Sequence, residues 1–184
     1  MNVKELNLKA ALFIDHSNLA HPILNKKAYR NYAINYRTFK EIIFQEYTEQ
    51  SSFIFMGVNE PLSTEKEKFM KYLENVGFLI MTRPVTEREN GTFEQKQVDI
   101  LMHEIMVSHA SEVDVIIIVS GDVDFSLAAN IIINMGKIVV VWSWKESLSV
   151  QLRETVSDYN VFYIDDIWDK IKVKRKSNTH TLHH

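Results

Sequence analysis

The run Val115-Ile116-Ile117-Ile118-Val119 constrains this chain most. Apolar residues follow one another with no polar alternation, the mark of a strand covered on both faces, as in parallel α/β sheets. The run stops at Ser120-Gly121-Asp122-Val123-Asp124. Gly121 permits a tight turn at the strand's carboxyl end, and two carboxylates stand where the chain enters the next helix. Ligand sites of open α/β sheets lie outside the carboxyl ends of the strands. The turn is therefore a candidate half of an acidic, divalent-metal site.

The rest of the chain repeats the strand-then-helix pattern. Strands are expected at 10–14, 52–58, 78–81, 113–119, 138–142 and 161–164. Helices are expected to start at Thr38 and to span 64–75, 94–110, 125–135, 148–157 and 165–171. Residues 82–93, with Pro84 and Asn90-Gly91, read as a loop or hairpin tip. Alternation of this kind predicts an α/β fold, with helices on both faces of a mainly parallel sheet. The 184 residues suit one domain, expected over 1–171, followed by a basic, flexible tail over 172–184.

Composition narrows the function classes. There is no cysteine, which excludes disulfides and thiolate metal sites. The net charge of -3 gives no global basic signature, so nucleic-acid binding would need local patches. No apolar run is long enough to span a bilayer, and the first residues do not read as a signal peptide. A cytoplasmic protein without membrane association is the expectation.

Four aspartates are candidates to meet. Asp15 ends the first strand. If the first and fourth strands are neighbours at the reversal of strand order, Asp15 faces Asp122 and Asp124. Clustered carboxylates repel, and a divalent cation removes the conflict. Asp99, one helical turn before Met102 and two before Met106, edges the apolar face of its helix, where a charge is costly unless paired or metal-bound. Lys96 falls near the same face. Each acid also has a structural reading: Asp15 as a turn or cap residue, Asp122 and Asp124 as caps of the next helix, and Asp99 as an ion-pair partner of Lys96. These alternatives stay open at this level.

The pieces Leu12-Phe13-Ile14-Asp15-His16-Ser17-Asn18, Lys96-Gln97-Val98-Asp99 and Val119-Ser120-Gly121-Asp122-Val123-Asp124-Phe125 together resemble the NYN-domain family of PIN-like nucleases. Gly136-Lys137 and the stretch Ser147 to Arg153 extend the likeness, which covers roughly residues 10–167. The resemblance implies a three-layer α/β/α sandwich with strand order 3-2-1-4-5. It also implies an endoribonuclease site dependent on Mg²⁺ or Mn²⁺. Asp15, Asp99, Asp122 and Asp124 would be the catalytic carboxylates and metal ligands. Asn18, Lys96 and Ser120 would orient the site or a phosphate. His16 departs from the small residue, frequently Gly, that relatives carry there.

RNA, in single-stranded form, is the partner the likeness implies. Lys26, Lys27, Arg30 and Arg37, interleaved with Tyr29, Tyr32 and Tyr36, form a candidate arm in which cations meet phosphates and rings stack on bases. Solvated charges on an ordinary connection are the competing reading. Arg83, Arg88 and Lys172 to Lys176 are weaker candidates. Trp142, Trp144 and Trp168 are expected at the far sheet edge or on a homodimer surface. Two other functions compete: a weakly active or inactive nuclease-like module for RNA binding or assembly, and a metal-dependent phosphatase. The haloacid dehalogenase type of phosphatase fails, because Asp15-His16-Ser17 lacks its Asp-x-Asp. No P-loop motif exists.

Overall fold

The computed structural model describes residues 7–87, 93–94 and 96–175. A six-stranded parallel sheet forms its centre. Its strands are β1 (Lys9–Asp15), β2 (Thr48–Val58), β3 (Leu79–Pro84), β4 (Val115–Val119), β5 (Ile138–Ser143) and β6 (Val161–Tyr163). Numbered this way, their spatial order is 3-2-1-4-5-6. The expected order is present, with a sixth strand added at the edge.

Alternation along β1 creates two cores. Ala10, Leu12 and Ile14 face one side; Ala11 and Phe13 face the other. On the first side lie α1 (His16–Asn25), α2 (Tyr36–Ile43), α3 (Thr64–Val76) and α7 (Ile164–Ile171), through residues such as Leu19, Phe39, Leu73 and Trp168. On the second lie α4 (Lys96–His109), α5 (Ser126–Asn134) and α6 (Val150–Thr155), through Val98, Met102, Ala128, Ile132 and Leu152. The predicted three-layer sandwich is therefore the observed architecture. Because β1 and β4 are covered on both faces, Leu12, Phe13, Ile117 and Ile118 are all fully buried. Each contributes about 1.5–3 kcal/mol of apolar burial.

A βα junction is the expectation at Asp15, and the structure adds the extent of helix α1, His16–Asn25. His, Ser and Asn in its first turn are weak helix formers, and Pro22 interrupts its interior. The helix forms because Asp15 caps it through two backbone N–H groups and because Leu19, Pro22 and Ile23 bury one stripe. The start of α2 shifts from the expected Thr38 to Tyr36, whereas α3 begins at the expected Thr64. Asn35 caps α2 through the Thr38 N–H, and Ser63 caps α3 through the Lys66 N–H. Residues 86–87 and 93–94 pair as an antiparallel ribbon, which favours the hairpin reading of this stretch.

The indole groups occupy the interior. Trp144 is fully buried, and its Nε1–H donates to the Leu19 carbonyl at 2.9 Å. Trp144 and Trp168 pack edge to face at 5.4 Å between ring centres. Trp142 does lie toward the sheet edge, stacked on Phe162 of β6 at 5.0 Å. From the basic tail, Lys172–Lys174 form a strand antiparallel to Tyr32–Ile34, so backbone pairing continues past residue 171. Residues 176–184 and Arg88 lie outside the described residues.

Candidate active site

The sheet reverses its order at β1 and β4, whose register pairs Ile14 with Val119. Asp15 and Ser120, the next residue on each strand, are neighbours for that reason. Both are almost fully buried. The Ser120 hydroxyl donates to Asp15 Oδ2 at 3.1 Å and accepts the Asp122 N–H at 3.2 Å. Asp15 Oδ1 accepts the Ser17 N–H at 3.0 Å, the Ser17 hydroxyl at 2.8 Å and the Asn18 N–H at 3.1 Å. Asn18 Oδ1 in turn accepts the Gly121 N–H at 3.0 Å. One hydrogen-bonded lattice thus joins the first turn of α1 to the turn after β4.

Gly121 is required by a close approach. A Cβ there would stand 2.2 Å from the Ser147 carbonyl oxygen and 2.5 Å from Ser143 Oγ. The Gly121 carbonyl also accepts the Ser149 N–H at 2.9 Å. Beyond it, Asp122 Oδ1 accepts the Asp124 N–H at 3.0 Å and starts the 3₁₀ turn Val123–Phe125. The capping readings of Asp15 and Asp122 are therefore real local roles. They leave further carboxylate lone pairs unassigned.

Asp99 lies in the first turn of α4 and is half-buried. Its carboxyl is pushed up to about 7, chiefly by burial and then by the charges of Asp15, Asp122 and Asp124. All four aspartates thus share one electrostatic field. Burial also raises Asp15, against the opposing pull of its hydrogen-bond donors. Among the described residues no three His, Asp or Glu side chains form a ready-made metal-binding group. Asp122 is half-buried and Asp124 exposed, and the charges of both reach Asp99. The Lys96 side chain lies outside the described residues.

His16 is held away from this carboxylate lattice. Its Nδ1 is 2.9 Å from the Tyr36 hydroxyl, and its ring packs 5.2 Å from that of Phe69. Burial, with a smaller effect of the Lys66 charge, lowers its pKa to about 4. His16 is neutral at pH 7, a packed residue between α1, α2 and α3.

The basic arm divides. Tyr36 is only 4% exposed. Tyr29 packs on Trp144 and Trp168, and Tyr32 on Trp168. Base stacking on these rings is thereby displaced by core packing. Lys26 pairs with Glu146 at 2.9 Å. Lys27, Arg30 and Arg37 are exposed. Lys66 is a nearby cation that the sequence reading passed over. It stands in a helix with Lys68 and Lys71 on an ordinary charged face, and only tertiary packing brings it toward His16.

A family model described as "NYN domain" matches residues 9–172. A crystal structure of a protein of unknown function from Vibrio parahaemolyticus is similar at 26% identity and a TM-score of 0.75, over 94% of this chain and 100% of that one. No curated protein matches the sequence. No described helix is long and apolar enough to cross a membrane.

Proposed function

The chain belongs to the NYN-domain family, within the PIN-like nuclease superfamily, and from that premise we propose that it is a divalent-metal-dependent endoribonuclease whose site is built from Asp15, Asp99, Asp122 and Asp124. The observation that carries the reading is the Asp99 carboxyl, pushed to about 7 by burial and by the other three aspartates. A fold does not hold a buried Asp15 and half-buried Asp99 and Asp122, with the exposed Asp124 beside them, in mutual repulsion without some compensation. Their oxygens suit a hard cation in kind, as Mg²⁺ and Mn²⁺ sites use a few carboxylates with water.

Asp15 and Asp122 are the residues to hold the cation directly. Asp15 is fixed from four donors, and Asp122 is fixed by its own turn, so neither needs to be ordered on binding. Asp99 and Asp124 complete the negative field around the cation. When bound, the cation supplies a water of lowered pKa and positive charge beside the scissile phosphate. Ser120 and Asn18 keep the two strand ends in register. Lys27, Arg30 and Arg37 are exposed cations available to RNA phosphates.

The test incubates the purified protein with single-stranded RNA, single-stranded DNA and a generic phosphomonoester, in Mg²⁺, Mn²⁺ or EDTA, beside Asp122→Asn. The expected result is internal cleavage of RNA that requires the cation and drops at least a hundredfold in the variant. Cleavage that survives EDTA or the substitution sinks the metal-nuclease reading. RNA binding without cleavage in either cation moves the chain to the binding-module reading.

A further inference from the structure

We propose that Lys66 is a substrate-binding residue: its ammonium group holds a phosphate of the RNA strand next to the scissile one, in the cleft beside the carboxylate cluster. The proposal rests on the nuclease reading above and deepens it.

A cleft of about 520 Å³ opens at the carboxyl ends of β2 and β3, with Gly57, Asn59, Ser63, Lys66 and Val85 in its lining. It lies on the same sheet edge as Asp15. Register pairs Asp15 with Phe55, so Gly57 stands two residues further along the adjacent strand. Strand spacing and rise put the two Cα atoms about 8 Å apart. Among the described residues lining the cleft, Lys66 carries the only charge.

A row of side chains links Lys66 to His16, the residue next to Asp15 in sequence. The Lys66 Nζ lies over the Phe69 ring at 5.9 Å. Phe69 packs against His16 at 5.2 Å. At this helix start Ser63 Oγ accepts the Lys66 N–H at 3.2 Å, and the Lys66 side chain supplies the full positive charge.

The charge balance explains why a cation belongs here. Four carboxylates repel a polyanion, and a substrate strand crossing them needs positive charge on either side. Burial already lowers the Lys66 pKa. An ammonium partly removed from water gains most from an anion brought against it. A phosphate in the cleft would satisfy both conditions at once.

The experiment measures single-stranded RNA binding by fluorescence anisotropy in Mg²⁺, in an Asp122→Asn background that leaves the RNA intact. Adding Lys66→Gln should weaken binding roughly fivefold or more and lower the slope of log affinity against log salt by about 0.7. Adding Lys66→Arg should restore both to within about twofold. In the otherwise native chain, Lys66→Gln should raise KM with kcat little changed, the pattern of lost uniform binding. Thermal melts of each variant check the fold. An unchanged slope and affinity in Lys66→Gln overturns the proposal, as does a failure of every variant to bind RNA. Inorganic phosphate and a mononucleotide serve as competitors. Displacement of RNA by either at matched phosphate concentration assigns the cleft to small phosphoesters and overturns it too. The two readings fail separately. Lys66-dependent binding with no cleavage by the native chain defeats only the nuclease. Cleavage lost in Asp122→Asn with Lys66-independent binding defeats only this inference.

Discussion

The Ser120 hydroxyl donates to Asp15 Oδ2 at 3.1 Å across the ends of two adjacent parallel strands. The Ser120 oxygen in turn accepts the Asp122 N–H. A single buried hydroxyl thus couples one acidic residue to the backbone of another. Ser120→Ala would strip a donor from a buried carboxylate and orphan an amide. The expected cost is about 2–3 kcal/mol, read as a lower urea midpoint at unchanged m-value. Ser120→Thr should recover part of it.

Gly121→Ala tests the close approach of the turn to the 143–149 segment. The new methyl group would meet the Ser147 carbonyl oxygen, which is backbone and cannot swing aside. The turn must shift, at a cost of at least about 2 kcal/mol. Gly136→Ala is a useful contrast. No atom lies within 4 Å of its added Cβ, so its cost comes from the positive φ of 77° alone, about 1 kcal/mol.

Two groups pull the pH dependence of stability in opposite directions. Asp99 is raised in the folded state to about 7. The folded state therefore favours its proton, and the stability this provides at low pH is lost as pH rises from about 4 to 7. His16 is lowered to about 4. Its contribution is complete above the ordinary histidine value of 6.5 and is lost as pH falls toward 4. The native profile between pH 4 and 7 should be flat where the two cancel. Asp99→Asn should leave a profile that falls on acidification and should raise the melting temperature at pH 8 by a few degrees. Its effect is about 1 kcal/mol after screening of a half-exposed group. His16→Gln should leave the reverse slope. Melting curves at half-unit pH steps in EDTA decide this, and equal slopes in both variants would contradict the assignment.

Trp144→Phe removes the donor to the buried Leu19 carbonyl and leaves a void beside Trp168. A loss of about 2–4 kcal/mol is expected. The affected carbonyl lies in α1, directly after the Asp15 cap. Amide exchange in the first turn of α1 should therefore speed up more than exchange in β4.

Much of this was written locally. The β-branched run of β4 and the apolar run of β1 specified a sheet covered on both faces, and Ser-Gly-Asp marked the turn. The extent of helix α1 was hidden because its stability comes from a cap and a buried stripe instead of residue propensity. The tyrosines and tryptophans between α1 and α7 misled for a related reason. An aromatic residue beside a lysine reads alike in sequence whether its ring faces solvent or an indole. Tyr29 and Tyr32 took the second course because residues 29 to 168 close onto one another only in three dimensions.

The sequence by itself determined the alternation of strands and helices and the acids at the strand ends, while the need for glycine at position 121 came from the approach of the distant Ser143 and Ser147. Periodicity and turn chemistry act over a few residues, so they survive in the one-dimensional record. Only the tertiary structure decided that Ser120 bonds to Asp15, that burial and then three distant aspartates raise Asp99, and that Lys66 stands near His16. Those relations depend on which strands are neighbours and on how deeply water is excluded between them. Both are properties of the packed sheet rather than of any segment of it.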